Sequence, residues 1–232
     1  MKEKKQTPSE AGLLIAVLII SISVVLMIKS NFGITTLSSL PLILSITFPN
    51  ISIASFSIAL SFGTYNFIFQ FAFLILLMLL IKKVDPRYAL SMVASAAFAW
   101  LADTSALILA GLPDSIPFRA IYFLFGLSML PLGISLSIKC RLPALPFDII
   151  VRDLAKYRKW PTKWIKTVLD ISCVTLTCII SFCFLGQLQA VGPGTIVAAL
   201  CTGFLVDRWG RFLDKRFQFE PISKIGNLLA QR

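Results

Sequence analysis

A chain of 232 residues that is 57% hydrophobic and only 14% charged cannot cover a soluble globular surface, which takes roughly a quarter charged residues. Its mean hydropathy of +0.85 and its long apolar runs exclude an ordinary soluble domain. The net charge of +11 excludes nothing until its distribution along the chain is known.

Long apolar runs in a bilayer must be helices, because no water is there to pair the backbone N–H and C=O groups. Residues 1–10 form a polar N-terminus. The first span is Ala11 to Ile28, read as a retained helix and not a cleavable signal peptide. The next apolar stretch, residues 33–61, is cut by Pro41, Pro49 and Asn50 into pieces too short to cross, which predicts a re-entrant or interfacial hairpin. The second span runs from Phe62 to Ile81 and the third from Ala89 to Gly111. The fourth covers Ala120 to Ile138. Residues 143–159 then read as a short helix, amphipathic on the inner surface or re-entrant. The fifth span is Trp164 to Leu185 and the sixth Ala190 to Val206, with a tail over 212–232.

With the N-terminus inside, every one of the 22 basic residues except Lys29 and Arg119 falls in an inner loop or terminus. Positive residues are retained on the cytoplasmic side, so six spans with both termini cytoplasmic fit the charge. The excess of positive charge then faces anionic inner-leaflet lipid, and it is spread over loops, which excludes a nucleic-acid surface.

The two halves repeat. Val24 to Lys29 ends the first span and leads into Phe32-Gly33-Ile34; Ile134 to Lys139 ends the fourth and leads into Leu142-Pro143-Ala144. Met92-Val93-Ala94-Ser95 leads to Trp100-Leu101-Ala102-Asp103, as Ile196-Val197-Ala198-Ala199 leads to Phe204-Leu205-Val206-Asp207. Repeats over 11–111 and 119–211, each with three spans, must enter the membrane in opposite senses. That predicts an all-α membrane protein of two inverted three-helix repeats with short half-helix or re-entrant segments, an architecture of secondary transporters.

The stretch Lys29-Ser30-Asn31-Phe32-Gly33-Ile34-Thr35-Thr36-Leu37-Ser38-Ser39-Leu40-Pro41 resembles the motif that follows the first helix in the YczE/YyaS/YitT-like bacterial membrane proteins. Val191-Gly192-Pro193-Gly194-Thr195 and the residues to Leu200 resemble that family's segment before its last helix. The resemblance implies a multi-pass protein of the bacterial cytoplasmic membrane, in a group suspected of transport.

Charged residues inside spans line wet cavities or find partners, which singles out Asp103 in the third span and Asp170 in the fifth. Both are candidates for proton or sodium coupling. Lys166 lies four residues before Asp170 on the same helical face. Asn66 and Gln70 are buried amides one turn apart. Gly33 with the hydroxyls Thr35, Thr36, Ser38 and Ser39 opens a short helix; Pro143 to Asp148 and Gly192 to Thr195, with Gly194, open two more. Helix starts carry free N–H groups. If they converge, with Lys29 and Lys139 nearby, the site favours an anionic or carboxylate-bearing solute.

No histidine is present and no phosphate-binding loop, so the reading is not an enzyme, with no cofactor and no metal. The alternative to a transporter is a non-transporting partner: a sensor, lipid-binding or assembly protein. A chain this small leaves a homodimer open.

Overall fold

The computed structural model describes residues 5–53, 56–82, 85–140, 142 and 145–221. Lys2, Lys4, Lys83, Arg141, Pro143, Ala144 and the tail beyond 221 lie outside the described residues. Eight α-helices dominate: α1 (Ser9–Ser30), α2 (Thr36–Thr47), α3 (Phe62–Ile81), α4 (Pro86–Leu109), α5 (Ile116–Lys139), α6 (Pro146–Arg158), α7 (Thr162–Ile180) and α8 (Pro193–Arg216). A π-helical turn, Ser181–Leu185, extends α7. Four short strands complete the described residues: β1 (Lys5–Pro8), β2 (Asn50–Ile53), β3 (Phe56–Ala59) and β4 (Phe217–Glu220).

Among the described residues five helices are long and apolar enough to cross a membrane: α1, α3, α4, α5 and α7 with its π-helical turn. They coincide with the first five expected spans. The sixth differs. α8 has 24 residues, but after Val206 it carries Asp207, Arg208, Arg211, Asp214, Lys215 and Arg216. Its apolar part is therefore short, and the helix continues through residues assigned from sequence to a tail. The stretch 33–61 is also resolved differently in its two pieces. α2 runs through the buried Pro41 and stops at Phe48 before Pro49, where the residue preceding a proline is driven out of the helical region. The second piece is a β-hairpin, with Asn50 opposite Ala59 and Ile53 opposite Phe56. The alternation Ile51-Ser52-Ile53 and Phe56-Ser57-Ile58 has the period of a strand.

The centre of the bundle is α1 against α5, antiparallel. Small residues allow the approach: a Cβ on Gly126 would lie 2.8 Å from the Ser23 carbonyl, and one on Gly133 would lie 2.7 Å from Ile20. Close packing of this kind, with no hydrophobic driving force between helices in lipid, is what holds membrane helices together. Leu13, Val17, Ile20, Val24 and Met27 of α1 form one core cluster with Phe98 and Ala102 of α4 and Phe123, Leu127 and Leu130 of α5. α8 runs parallel to α5, with Gly194 on Phe123 and Ser135 Oγ donating to the Val206 carbonyl at 2.7 Å.

The two short helices sit between the long ones. α2 lies along α7 in the same direction: Thr36 meets Asp170, Ser39 meets Thr177, and Phe48 meets Phe184. α6 lies along α3 in the same direction. Phe147 packs on Phe69 and Phe73 at ring distances of 5.5 and 6.0 Å, and Ile149 and Ile150 pack with Leu74 and Leu77. Each short helix thus starts level with the middle of a long one and runs to its end, and the two run in opposite senses.

The ends of the described chain meet at one face, where β1 and β4 pair in parallel, Lys5 opposite Phe217. Beneath them Cys140 is fully buried; a Cβ on Gly12 would lie 2.6 Å from its Sγ and 3.2 Å from Phe219. Burial, and to a lesser extent the charge of Glu10, push the Cys140 thiol up to about 12. At pH 8 only about one part in 10⁴ is then thiolate, the reactive form. The expected result is that N-ethylmaleimide spares Cys140 in the folded protein and labels it after denaturation, read by peptide mass spectrometry. Labelling of the native protein at the rate of a free thiol would show that this end is open.

Candidate functional site

The two short helices meet α7 at different levels: α2 by its first turn, and α6 by Val151, Leu154 and Ala155 against Ile165 and Leu169 near the start of α7. Thr36, first residue of α2, donates its hydroxyl to Asp170 Oδ1 at 2.7 Å. One turn on, Ser39 and Thr177 hydroxyls bond at 3.0 Å, and Thr177 also donates to the Cys173 carbonyl. On the other side, α6 places Asp148 in its first turn. The charge of Lys166 acts on Asp148 and on Asp170 alike. Asp148 is exposed to solvent. α6 is too short and too polar to cross a membrane, and burial pushes its Asp148 carboxyl above the usual range, opposed by Lys166 and Arg152. Asp148, Arg152 and Lys156 form the exposed stripe of α6, while Phe147, Ile149, Ile150 and Val151 are buried.

Asn66 and Gln70 are 2% and 1% exposed. Gln70 Nε2 donates to Asn66 Oδ1, and Gln70 Oε1 is buried without a partner among the described residues. Gln70 sits between Phe69 and Phe73, and so at the level where α6 begins.

The other expected site residues are elsewhere. Asp103 of α4 accepts from Ser61 Oγ at 2.5 Å and from the Gly63 amide at 2.9 Å. Ser61 is in turn the N-cap of α3, accepting from the Thr64 amide. Asp103 therefore satisfies the start of α3. Lys29 donates to the Ala110 carbonyl at the end of α4, at 3.2 Å, while Lys139 pairs with Asp214 of α8. The two lysines close opposite ends of the bundle.

Gly33, Gly194 and Thr195 come together, and they close on each other. The Gly194 amide donates to the Phe32 carbonyl at 2.9 Å, and Thr195 Oγ1 accepts from the Ile34 amide at 3.2 Å and from the Gly192 amide at 3.3 Å. The first turn of α8 is thus partnered by the crossover between α1 and α2. Thr35 is the N-cap of α2 without a side-chain cap bond, and Ser38 donates its amide to the Thr35 carbonyl. Beside this clip lies a cavity of about 430 Å³ lined by Asn31, Gly33, Ile34, Gln187, Gln189 and neighbouring apolar residues.

Sequence reasoning treated Lys166 only as a neighbour of Asp170, and Ser39 as one hydroxyl among four. Their use depends on α2 and α7 running together, which no local pattern announces.

The fold and its apolar helices define a multi-pass helical membrane protein. Residues 9–211 match a family of unknown function (DUF6198), and the chain belongs to it. No curated protein and no solved structure matches.

Proposed function

We propose that this chain is a secondary transporter or facilitator of a small solute in the bacterial cytoplasmic membrane, related to the YczE/YyaS/YitT-like proteins. Its solute site lies where α2 and α6 begin, between halves inverted relative to each other. The observation that carries the reading is that α2 begins partway along α7, where Thr36 donates to Asp170 at 2.7 Å. Half-helices that begin in the interior and run to opposite faces are the usual setting of a midplane solute site.

The packing supports the duplication. Exchange α1 with α5, α2 with α6, α3 with α7 and α4 with α8: α1 on α4 becomes α5 on α8, α2 on α7 becomes α6 on α3, and α1 on α5 maps to itself, while α3 packs on α4 with no comparable contact of α7 on α8 among the described residues. In this reading the apolar start of α8 is the sixth span, sheltered by α5, and both termini are cytoplasmic. The basic inner loops support that orientation. Alternating access would then come from the two halves rocking about the α1–α5 contact, with Asp148 and Asp170 as the groups able to carry a proton.

The test is flux. Liposomes holding a mixture of small carboxylates, amines and amino acids, with and without the protein, are assayed by mass spectrometry of the external medium. At least one solute is expected to leave faster with protein present, and Asp148→Asn to slow it by about 10-fold or more, the usual scale for loss of a binding charge. Absence of any protein-dependent flux from folded protein would sink the transport reading and favour a partner-binding protein.

A further inference from the structure

The cavity of about 430 Å³ beside the clip lies between the end of α1, the crossover into α2, α2 itself and the loop that joins α7 to α8. Its buried lining is apolar: Met27, Ile34 and Leu42. Three carboxamides stand where it opens to solvent, Asn31, Gln187 and Gln189. Their side chains make no hydrogen bond to another described residue; Asn31, Gln187 and Gln189 bond through their backbones alone. No charged side chain is among the described residues that line the space.

The wall that carries the two glutamines is held in place. Ser181, fully buried where the π-helical turn begins, donates its hydroxyl to the Gln187 carbonyl at 2.6 Å and accepts from the Gln189 amide at 2.8 Å. One hydroxyl thus pins the loop on both sides of Leu188. Single π-helical turns are concentrated at functional sites. Next in the wall, Ala190 has φ of +65°, a left-handed conformation that crowds any Cβ. The other described non-glycine residues with positive φ, Asn31, Lys82 and Lys159, each cap the end of a helix. Ala190 caps none, and strain of this kind persists where the surroundings enforce it, often at binding sites. The opposite wall is the crossover that the Gly194 amide ties at the Phe32 carbonyl.

The lining selects by chemistry. A carboxamide presents an acceptor oxygen and an N–H donor side by side, so three of them suit a solute that has groups of both kinds. An ionised solute would leave its water to meet no opposite charge, which is costly. The volume falls within the range of small-molecule sites, about 300–1,000 Å³.

We infer that this cavity binds a small uncharged polar solute, held by Asn31, Gln187 and Gln189 with its carbon face on the apolar lining. With the N-terminus inside, the loop after α7 is on the outer side, and Ile34 in the lining is two residues before Thr36. The cavity is then the outer entrance to the path that leads to Thr36 and Asp170. In this the inference rests on the transport reading, and it names an uncharged solute class where the sequence pointed to an anionic one.

Thermal denaturation of the purified full chain tests it. The probes are uncharged nucleobases, hexoses, polyols and primary amides, each beside an ionised analogue: uracil with orotate, glucose with glucuronate, nicotinamide with nicotinate. At least one uncharged probe, at about ten times its Kd, is expected to raise Tm by about 3 °C or more, and its ionised analogue to leave Tm unchanged. Gln187→Leu/Gln189→Leu should weaken that response about 10-fold or more. Both positions are at the surface, so the same variant should keep its unliganded Tm within about 2 °C, which separates a lost contact from a lost fold. An ionised analogue that shifts Tm as much as its uncharged twin would overturn the solute class. A response untouched in the double variant would overturn the placement, and no response from folded protein to any probe would overturn the inference outright. Liposome flux separates these failures from failure of the transport reading. Binding of an uncharged probe with no flux sinks transport and keeps the cavity, whereas flux of ionised solutes alone keeps transport and sinks the inference.

Discussion

Replacing Gly33 by alanine is expected to destabilise the folded protein by about 3 kcal/mol, lowering Tm by roughly 6–12 °C for a chain of this length. Two costs combine. Gly33 has φ of +126°, where side chains other than hydrogen are strained. An added Cβ would also lie 2.5 Å from Thr195 Oγ1, 2.7 Å from the Thr195 amide nitrogen and 3.1 Å from the Gly192 amide nitrogen. Two of those three atoms are backbone and cannot rotate away. The chain must pass this close because the Phe32 carbonyl receives the Gly194 amide, and Gly192 itself has no room for a Cβ, which would lie 2.4 Å from that same carbonyl. Thermal melting in detergent reads the loss. Trimming the hydroxyl in Gly33→Ala/Thr195→Ala should recover little, since the backbone clash and the strain remain. Full recovery in that double variant would mean that Thr195 Oγ1 alone sets the constraint.

Much of the architecture was legible because the bilayer enforces simple rules. Apolar length located α1, α3, α4, α5 and α7 to within a few residues, since each must satisfy its own backbone in lipid. The prolines at 41 and 49 marked the short segment that became α2, although Pro41 lies within the helix and not at its edge. The hairpin of β2 and β3 was signalled by period-two alternation that hydropathy averaging conceals. Pairings across the chain were not legible at all. Nothing near Asp103 points to Ser61 and Gly63, and nothing near Lys139 points to Asp214. The intramembrane acids were found by a sound rule, that such groups need partners, but the rule does not say which acid is finished by the fold and which is left over for a ligand. That distinction needed the geometry.

It also yields opposed outcomes for two aspartates that look alike in sequence. Asp103→Ala is expected to cost about 1–3 kcal/mol, because it removes the acceptor of both Ser61 Oγ and the Gly63 amide at the start of α3; Tm should fall by roughly 2–12 °C. Any solute response that survives the lower stability should keep its affinity. Asp148→Asn should do the reverse, raising Tm slightly at pH 7 and slowing the solute flux. The sign follows from its environment. Burial raises the folded-state pKa of Asp148 above the unfolded value, so between those two values the folded protein holds more protons than the unfolded chain. Stability from this group is therefore greatest at low pH and is lost as pH rises through the folded pKa. The asparagine carries no such penalty, so the stability gap between variant and wild type should open as pH rises and close as pH falls toward the ordinary carboxylate range. Melting curves of wild type, Asp103→Ala and Asp148→Asn across that range decide it. A site kept for function at the expense of stability behaves in this way. If Asp148→Asn instead destabilised at pH 7 as Asp103→Ala does, Asp148 would be one more helix-start carboxylate completed by the fold, with no claim to a ligand.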